Sequence, residues 1–148
     1  KKRQTVRAAT TANITIATAL NNGDTLDGVA LVTNDLVLVK DQSAPAGNGV
    51  YVVGVSPARY VEFDAYNDHP GATIVVQEGT VNADTAWVCT SNMGGTLGTT
   101  AIDFVASGAG DISGPVSSTD NAITRWDGTA GDTIQNSLAT VDDNGTVN

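Results

Sequence analysis

The chain holds one cysteine, Cys89, and one histidine, His69, in 148 residues. A lone thiol excludes an intrachain disulfide. It lies in Trp87-Val88-Cys89-Thr90, a strand-like run where a thiol behaves as a small apolar side chain. A nucleophilic cysteine wants a base beside it, and His69 belongs to a different, loop-like stretch, so Cys89 reads as core. Aromatics make up only 5% of the chain, so any core must rest on Val, Ile, Leu and Ala. Basic residues are as scarce: Lys and Arg together number 7, against 16 Asp and Glu. Lys1, Lys2, Arg3 and Arg7 account for four of them; from residue 8 onward three bases face all sixteen acids, a net of −13. Such a body repels phosphate backbones, and no nucleic-acid partner is expected. No apolar run reaches the roughly 18 residues of a membrane-spanning helix, so no membrane insertion is expected. The basic start leads into Ala-Thr-Thr-Ala-Asn rather than an apolar stretch, which is not a secretory signal. The first residue is not Met, and the last residues, Asp143-Asn144-Gly145-Thr146-Val147-Asn148, form a turn and a strand's opening. The sequence reads as an excerpt of a longer polypeptide.

What is abundant is Gly, at 16, together with Thr and Val, a β-rich and turn-rich composition. The clearest unit runs from Val37 to Val53. Val37-Leu38-Val39 and Val50-Tyr51-Val52-Val53 are β-preferring apolar runs. Between them Asp41, Ser43, Pro45, Gly47 and Asn48-Gly49 favour turns, and Asn48-Gly49 can supply positive φ where the second strand starts. A β-hairpin with a wide loop follows. Other strand patterns recur about every ten residues: Asn13–Ala17, Val29–Val32, Arg59–Phe63, Ala72–Glu78, Thr85–Thr90 and Ala101–Ala106. That spacing predicts an all-β fold, a compact sandwich or barrel-like domain over residues 13–106. Residues 1–12 are polar and read as a basic N-terminal arm or linker. Ser107-Gly108-Ala109-Gly110 breaks the composition and opens a linker and β-rich segment over 107–148.

That last segment carries few large apolar residues: Ile112, Val116, Ile123, Trp126, Ile134, Leu138, Val141 and Val147. At about 25 cal/mol per Å² of apolar area buried, so lean a stretch cannot offset its own ordering entropy. Identical neighbours are the simplest supply of missing surface, with Ile123, Trp126, Ile134 and Leu138 as candidate contacts between copies.

Candidate sites are weak. Lys40 and Asp41 read as a hairpin-loop salt bridge with turn caps. Asp64, Asp68 and His69 have the donor types of a divalent-ion site but are too close in sequence to converge without a third partner. Asn22-Gly23-Asp24 and Asp142-Asp143-Asn144-Gly145 lack the ligand alternation of a calcium loop and read as turns. Tyr60, Tyr66 and Trp87 are candidates for stacking on a sugar. Trp87 reads as core, and Tyr66 with His69, in the irregular stretch Asp64–Gly71, reads as a surface contact. Glycan cleavage needs two opposed carboxylates, and nothing sets Glu62, Glu78 or any Asp pair across a groove. No catalytic residue, metal or cofactor is assigned, and no enzyme is expected.

Several motifs in order are similar to a domain of tail-fibre and related virion proteins of tailed bacteriophages. They are Asp27-Gly28-Val29, Val37-Leu38-Val39-Lys40-Asp41-Gln42, Asn48-Gly49-Val50-Tyr51, Phe63-Asp64, Gly71, Glu78-Gly79, Asn82-Ala83-Asp84-Thr85 with Trp87, and Gly98-Thr99-Thr100. The likeness covers about residues 6 to 106. It departs at Leu36, where the family usually has Arg, so any ion pair made by that Arg is absent. Beyond it, Gly114-Pro115, Asp120-Asn121-Ala122-Ile123, Arg125-Trp126-Asp127-Gly128 and Ile134-Gln135-Asn136-Ser137 resemble segments that lead into fibre shafts. The resemblance implies a homotrimeric virion appendage used in host adsorption, with other virion proteins and a host surface glycan as partners. The rival expectations are a carbohydrate-binding receptor-recognition module with Tyr60, Tyr66 and His69 as contacts, a capsid-decorating or head-fibre protein, and a polysaccharide-depolymerising tailspike.

Overall fold

A computed structural model describes residues 1–108 in full and the backbone of residues 122–126 and 134–140. The chain divides into two units, Lys1–Gly108 and Ala109–Asn148. In the first, the strands are β1 (Arg3–Val6), β2 (Ala8–Ala9), β3 (Thr25–Leu26), β4 (Val29–Ala30), β5 (Leu36–Val39), β6 (Gly49–Val52), β7 (Ala58–Arg59), β8 (Thr73–Val76), β9 (Ala86–Cys89) and β10 (Phe104–Ser107). A four-residue helix, α1 (Ile16–Ala19), and three single 3₁₀ turns complete it. One four-stranded sheet has the order β1-β8-β9-β10 and another β2-β5-β6-β7. The small pair β3-β4 stands apart from both. The unit is β-rich.

The hairpin of β5 and β6 forms as the sequence predicts, antiparallel from Leu36↔Val52 to Val39↔Gly49. Successive side chains of a strand face opposite ways, and both faces of β5 are covered. Leu38 joins a core cluster with Val6, Val50, Phe63, Ile74 and Val76, drawn from both large sheets. Val37 and Val39 point into a second cluster with Tyr51 of β6 and with Leu20, Leu26, Val29 and Leu31, supplied by the 20–31 segment. The unbroken Leu-Val-Leu-Val run reflects this two-sided burial.

Residues 1–12 are not a solvated arm. β1 pairs in parallel with β8, and β2 in parallel with β5, so one N-terminal stretch joins both large sheets. Arg7 is the crossing point: its N–H donates to Leu36 O at 2.8 Å, and its carbonyl accepts from Glu78 N at 2.8 Å. Val6, Ala8 and Ala9 are buried, and small side chains at 8 and 9 fit where the sheets meet. Two of its four basic residues are paired as well. Arg7 binds Asp35 at 2.6 Å and Glu78 at 3.2 Å, and Lys2 binds Asp68 at 2.8 Å.

Two predicted strands are also corrected. Asn13–Ala17 is not a strand; a turn at Thr15, whose carbonyl accepts from Thr18 N and Ala19 N, starts α1 instead. The backbone groups of Ile14 are taken by the Gln42 side chain, which accepts from Ile14 N and donates to Ile14 O, each at 2.9 Å. Arg59–Phe63 is strand only at Arg59, after which Val61–Phe63 tightens into a 3₁₀ turn that buries Phe63.

In the second unit β11 (Ala122–Trp126) and β12 (Ile134–Thr140) pair antiparallel, with an irregular register between Ala122 and Thr124.

Candidate functional site

The recurring motifs turn out to be devices that hold loops. Asp27 sits at φ +48, followed by Gly28 at φ +80, so the turn aims its carboxylate across to the 80–82 loop. There it accepts from Val81 N at 3.0 Å, Asn82 N at 2.8 Å and Asn82 Nδ2 at 3.0 Å. Gly79, at φ +145, leaves no room for a Cβ beside that carboxylate. Desolvation pushes the Asp27 pKa up, but the bonds from Asn82, Val81 and Thr80 outweigh it and hold the carboxyl below its ordinary value. The buried Asn82 amide also donates to Thr10 O at 3.2 Å, tying this loop to the N-terminal stretch.

The β5-β6 loop is fixed in the same manner. Lys40 binds Asp41 at 2.9 Å, the salt bridge the sequence predicts, and its ammonium lies 4.2 Å from the centre of the Trp87 ring. Thr10 Oγ donates to Asp41 at 2.7 Å and accepts from Lys40 N at 3.0 Å. Buried Asn48 accepts from Gln42 N at 3.0 Å and donates to Ile102 O at 2.9 Å. Next to it Gly49 has φ +146, and a Cβ there would collide with the Arg59 guanidinium and lie 3.0 Å from His69 Nε2. Arg59 spans the loop, donating to Asn48 O at 2.7 Å and Ala46 O at 2.8 Å, with its guanidinium over Tyr51.

His69 is fully buried, which removes it as a receptor contact. The alternation of polar and turn residues around it reads as an exposed loop. Instead the 3₁₀ turn Tyr66–Asp68 folds the imidazole inward against Phe63, with ring centroids 5.3 Å apart. Its Nδ1 faces Ala65 O at 3.1 Å and Tyr66 O at 3.2 Å, which assigns the proton to Nδ1. Nε2 has no hydrogen-bond partner among the described residues. Burial lowers the His69 pKa, the Arg59 charge adds to that, and the two carbonyls and Asp68 oppose it. No three His, Cys, Asp or Glu side chains among the described residues converge as a metal site. Asp68 instead binds Lys2 and caps Ala65 N at 3.1 Å.

Tyr66 is also buried, at 5% exposure, so its ring is no open stacking platform. Gly95 lies against the ring face, where a side chain would clash, and the hydroxyl donates to Ala101 O at 3.1 Å. Tyr60 is half-buried against the inter-sheet core, as is Trp87, whose Nε1 donates to Thr85 Oγ at 3.0 Å. Cys89 is buried beside Tyr66 and Ile102, and burial pushes its thiol pKa up, away from a nucleophile. Asp24 accepts from Asn21 N within its turn at 2.7 Å. The side chains of Ile123, Trp126, Ile134 and Leu138 lie outside the described residues.

Among the described residues, an open, shallow groove of about 550 Å³ is bounded by the loops at 90–95 and 100–103, with Tyr66 in its lining. Gly94 N donates to Asn67 Oδ1 at 2.8 Å, holding the first loop down. Ser91 Oγ donates to Ala101 O at 3.2 Å and accepts from Asp103 N at 2.8 Å, clipping the two loops together. Asn92, Met93 and Asp103 line it, and sequence reading misses all three: Asn92-Met93-Gly94-Gly95 carries only a turn signal, and Asp103 lies in a run that reads as strand. Against known proteins, no family, no curated protein and no solved structure matches this chain.

Proposed function

We propose that this chain is a structural virion protein, a subunit of a tailed-bacteriophage tail fibre or similar appendage that assembles as a homotrimer and serves host adsorption. The observation that carries the reading is the contrast between its two units. The first has its own core and tightly tied loops. Among its described residues the second shows a two-stranded pair, in a stretch whose sequence has few large apolar residues, and a strand pair by itself is marginal in water. Copies of the same segment wound together would bury what one copy cannot. The phage-like motifs support the address: Asp27-Gly28, Gly79, Asn82, Gln42 and Asn48-Gly49 each have a definite task in fixing a rigid β-rich body.

Sedimentation equilibrium of the full chain tests this. The expected mass is three times the 15.0 kDa subunit in concentrated solution, falling toward one subunit only on strong dilution. A well-folded monomer contradicts it.

A carbohydrate-recognition role has one observation in its favour, the groove beside Tyr66. A depolymerising tailspike has less support, since Asp103 is the sole carboxylate in that groove's lining.

A further inference from the structure

We infer that the groove between the 90–95 and 100–103 loops is a binding site for an uncharged oligosaccharide. Its volume, about 550 Å³, falls in the range of about 300–1,000 Å³ usual for small-ligand sites. The chemistry of the lining selects the ligand. Ser91 is consumed in clipping the loops, but among the described residues no hydrogen bond engages the Asn92 amide or the Asp103 carboxylate. Thr100 Oγ accepts from Thr96 N at 2.9 Å, which leaves its proton to donate. The groove thus offers an amide that donates and accepts, a hydroxyl donor and a carboxylate acceptor, a set suited to neighbouring hydroxyl groups. Met93 adds an apolar surface, 66% exposed, against which the C–H face of a pyranose can lie. No Lys, Arg or His lines the groove, and Asp103 supplies negative charge, so sulfated, phosphorylated or uronic sugars are disfavoured. With the Tyr66 ring covered by Gly95, no aromatic platform is available, and affinity falls in the millimolar range. The inference rests on the carbohydrate-recognition reading of this groove; the experiment below reads the groove and sedimentation reads the assembly, so the two can fail separately.

Met93 is the only methionine, so carbon-13 methyl labelling of methionine in the full chain places a single resonance in the groove. The label is titrated with maltotriose and triacetylchitotriose as uncharged sugars and with trigalacturonate as the anionic control. At least one uncharged sugar is expected to shift the Met93 methyl saturably by about 10 mM, while trigalacturonate leaves it in place. Asp103→Asn and Asn92→Ala, both exposed and off the core, are each expected to weaken the response about tenfold while preserving the circular dichroism spectrum. No shift with either uncharged sugar, an equal response to trigalacturonate, or undiminished binding in both variants would overturn the assignment.

Discussion

Asp27 shows how one side chain can hold a loop distant in sequence. It gathers three N–H groups from Val81 and Asn82 while its own backbone adopts a left-handed turn. Asp27→Ala leaves those donors without their acceptor, and because the site is half-buried water replaces part of the loss. The expected cost is about 1–2 kcal/mol, read as a lower urea midpoint, and an unchanged midpoint would count against this role. His69 makes a different prediction. Its folded pKa lies below the ordinary 6.5, so the unfolded chain takes up its proton first as the solution is acidified. Stability is therefore flat above that value and falls as pH drops below it toward the folded pKa. Since His69 is the only histidine, the slope between about pH 7 and 5 belongs chiefly to it. His69→Gln should be less stable at neutral pH and lose that slope. A variant that keeps the slope would show that another group is responsible.

Among the elements, the N-terminal stretch has the largest effect for its length. Four residues of β1 and two of β2 close one edge of each large sheet, and Arg7 is bonded to both. Deleting residues 1–7 removes β1, the Val6 side chain and the Arg7 ion pairs together. A loss of several kcal/mol and a broadened thermal transition are expected, against almost none if the stretch were a loose arm. The difference between legible and hidden elements has a physical cause. β5 and β6 are written locally: two apolar runs flank a turn-rich loop, and Gly49 provides the positive φ at the junction. β1 and β2 carry no apolar period, since Arg3, Gln4 and Thr5 lie on an edge strand and only Val6, Ala8 and Ala9 are buried. Their pairing is parallel and spans some 30 to 70 positions, which no local pattern encodes. Asn13–Ala17 misleads for a related reason: its alternation is real, but a side chain, Gln42, occupies the backbone groups a neighbouring strand would need.

At the scale of the molecule, the groove is unreadable in sequence because its free groups, Asn92, Met93 and Asp103, come from two loops that meet only in the fold, through Ser91 and through Thr90 N donating to Asp103 O. Tyr66 and His69 were misread for the converse reason: turn residues surround them, while the 3₁₀ turn they share directs both rings inward. What composition does convey is the contrast between a body rich in apolar runs and a C-terminal segment with few large apolar residues. Amide hydrogen exchange over residues 122–140, followed as the full chain is diluted, tests that contrast most directly. Protection that is strong in the concentrated protein and lost on dilution as the trimer dissociates is the predicted result. Strong protection that persists at every concentration in a monomer would contradict the account.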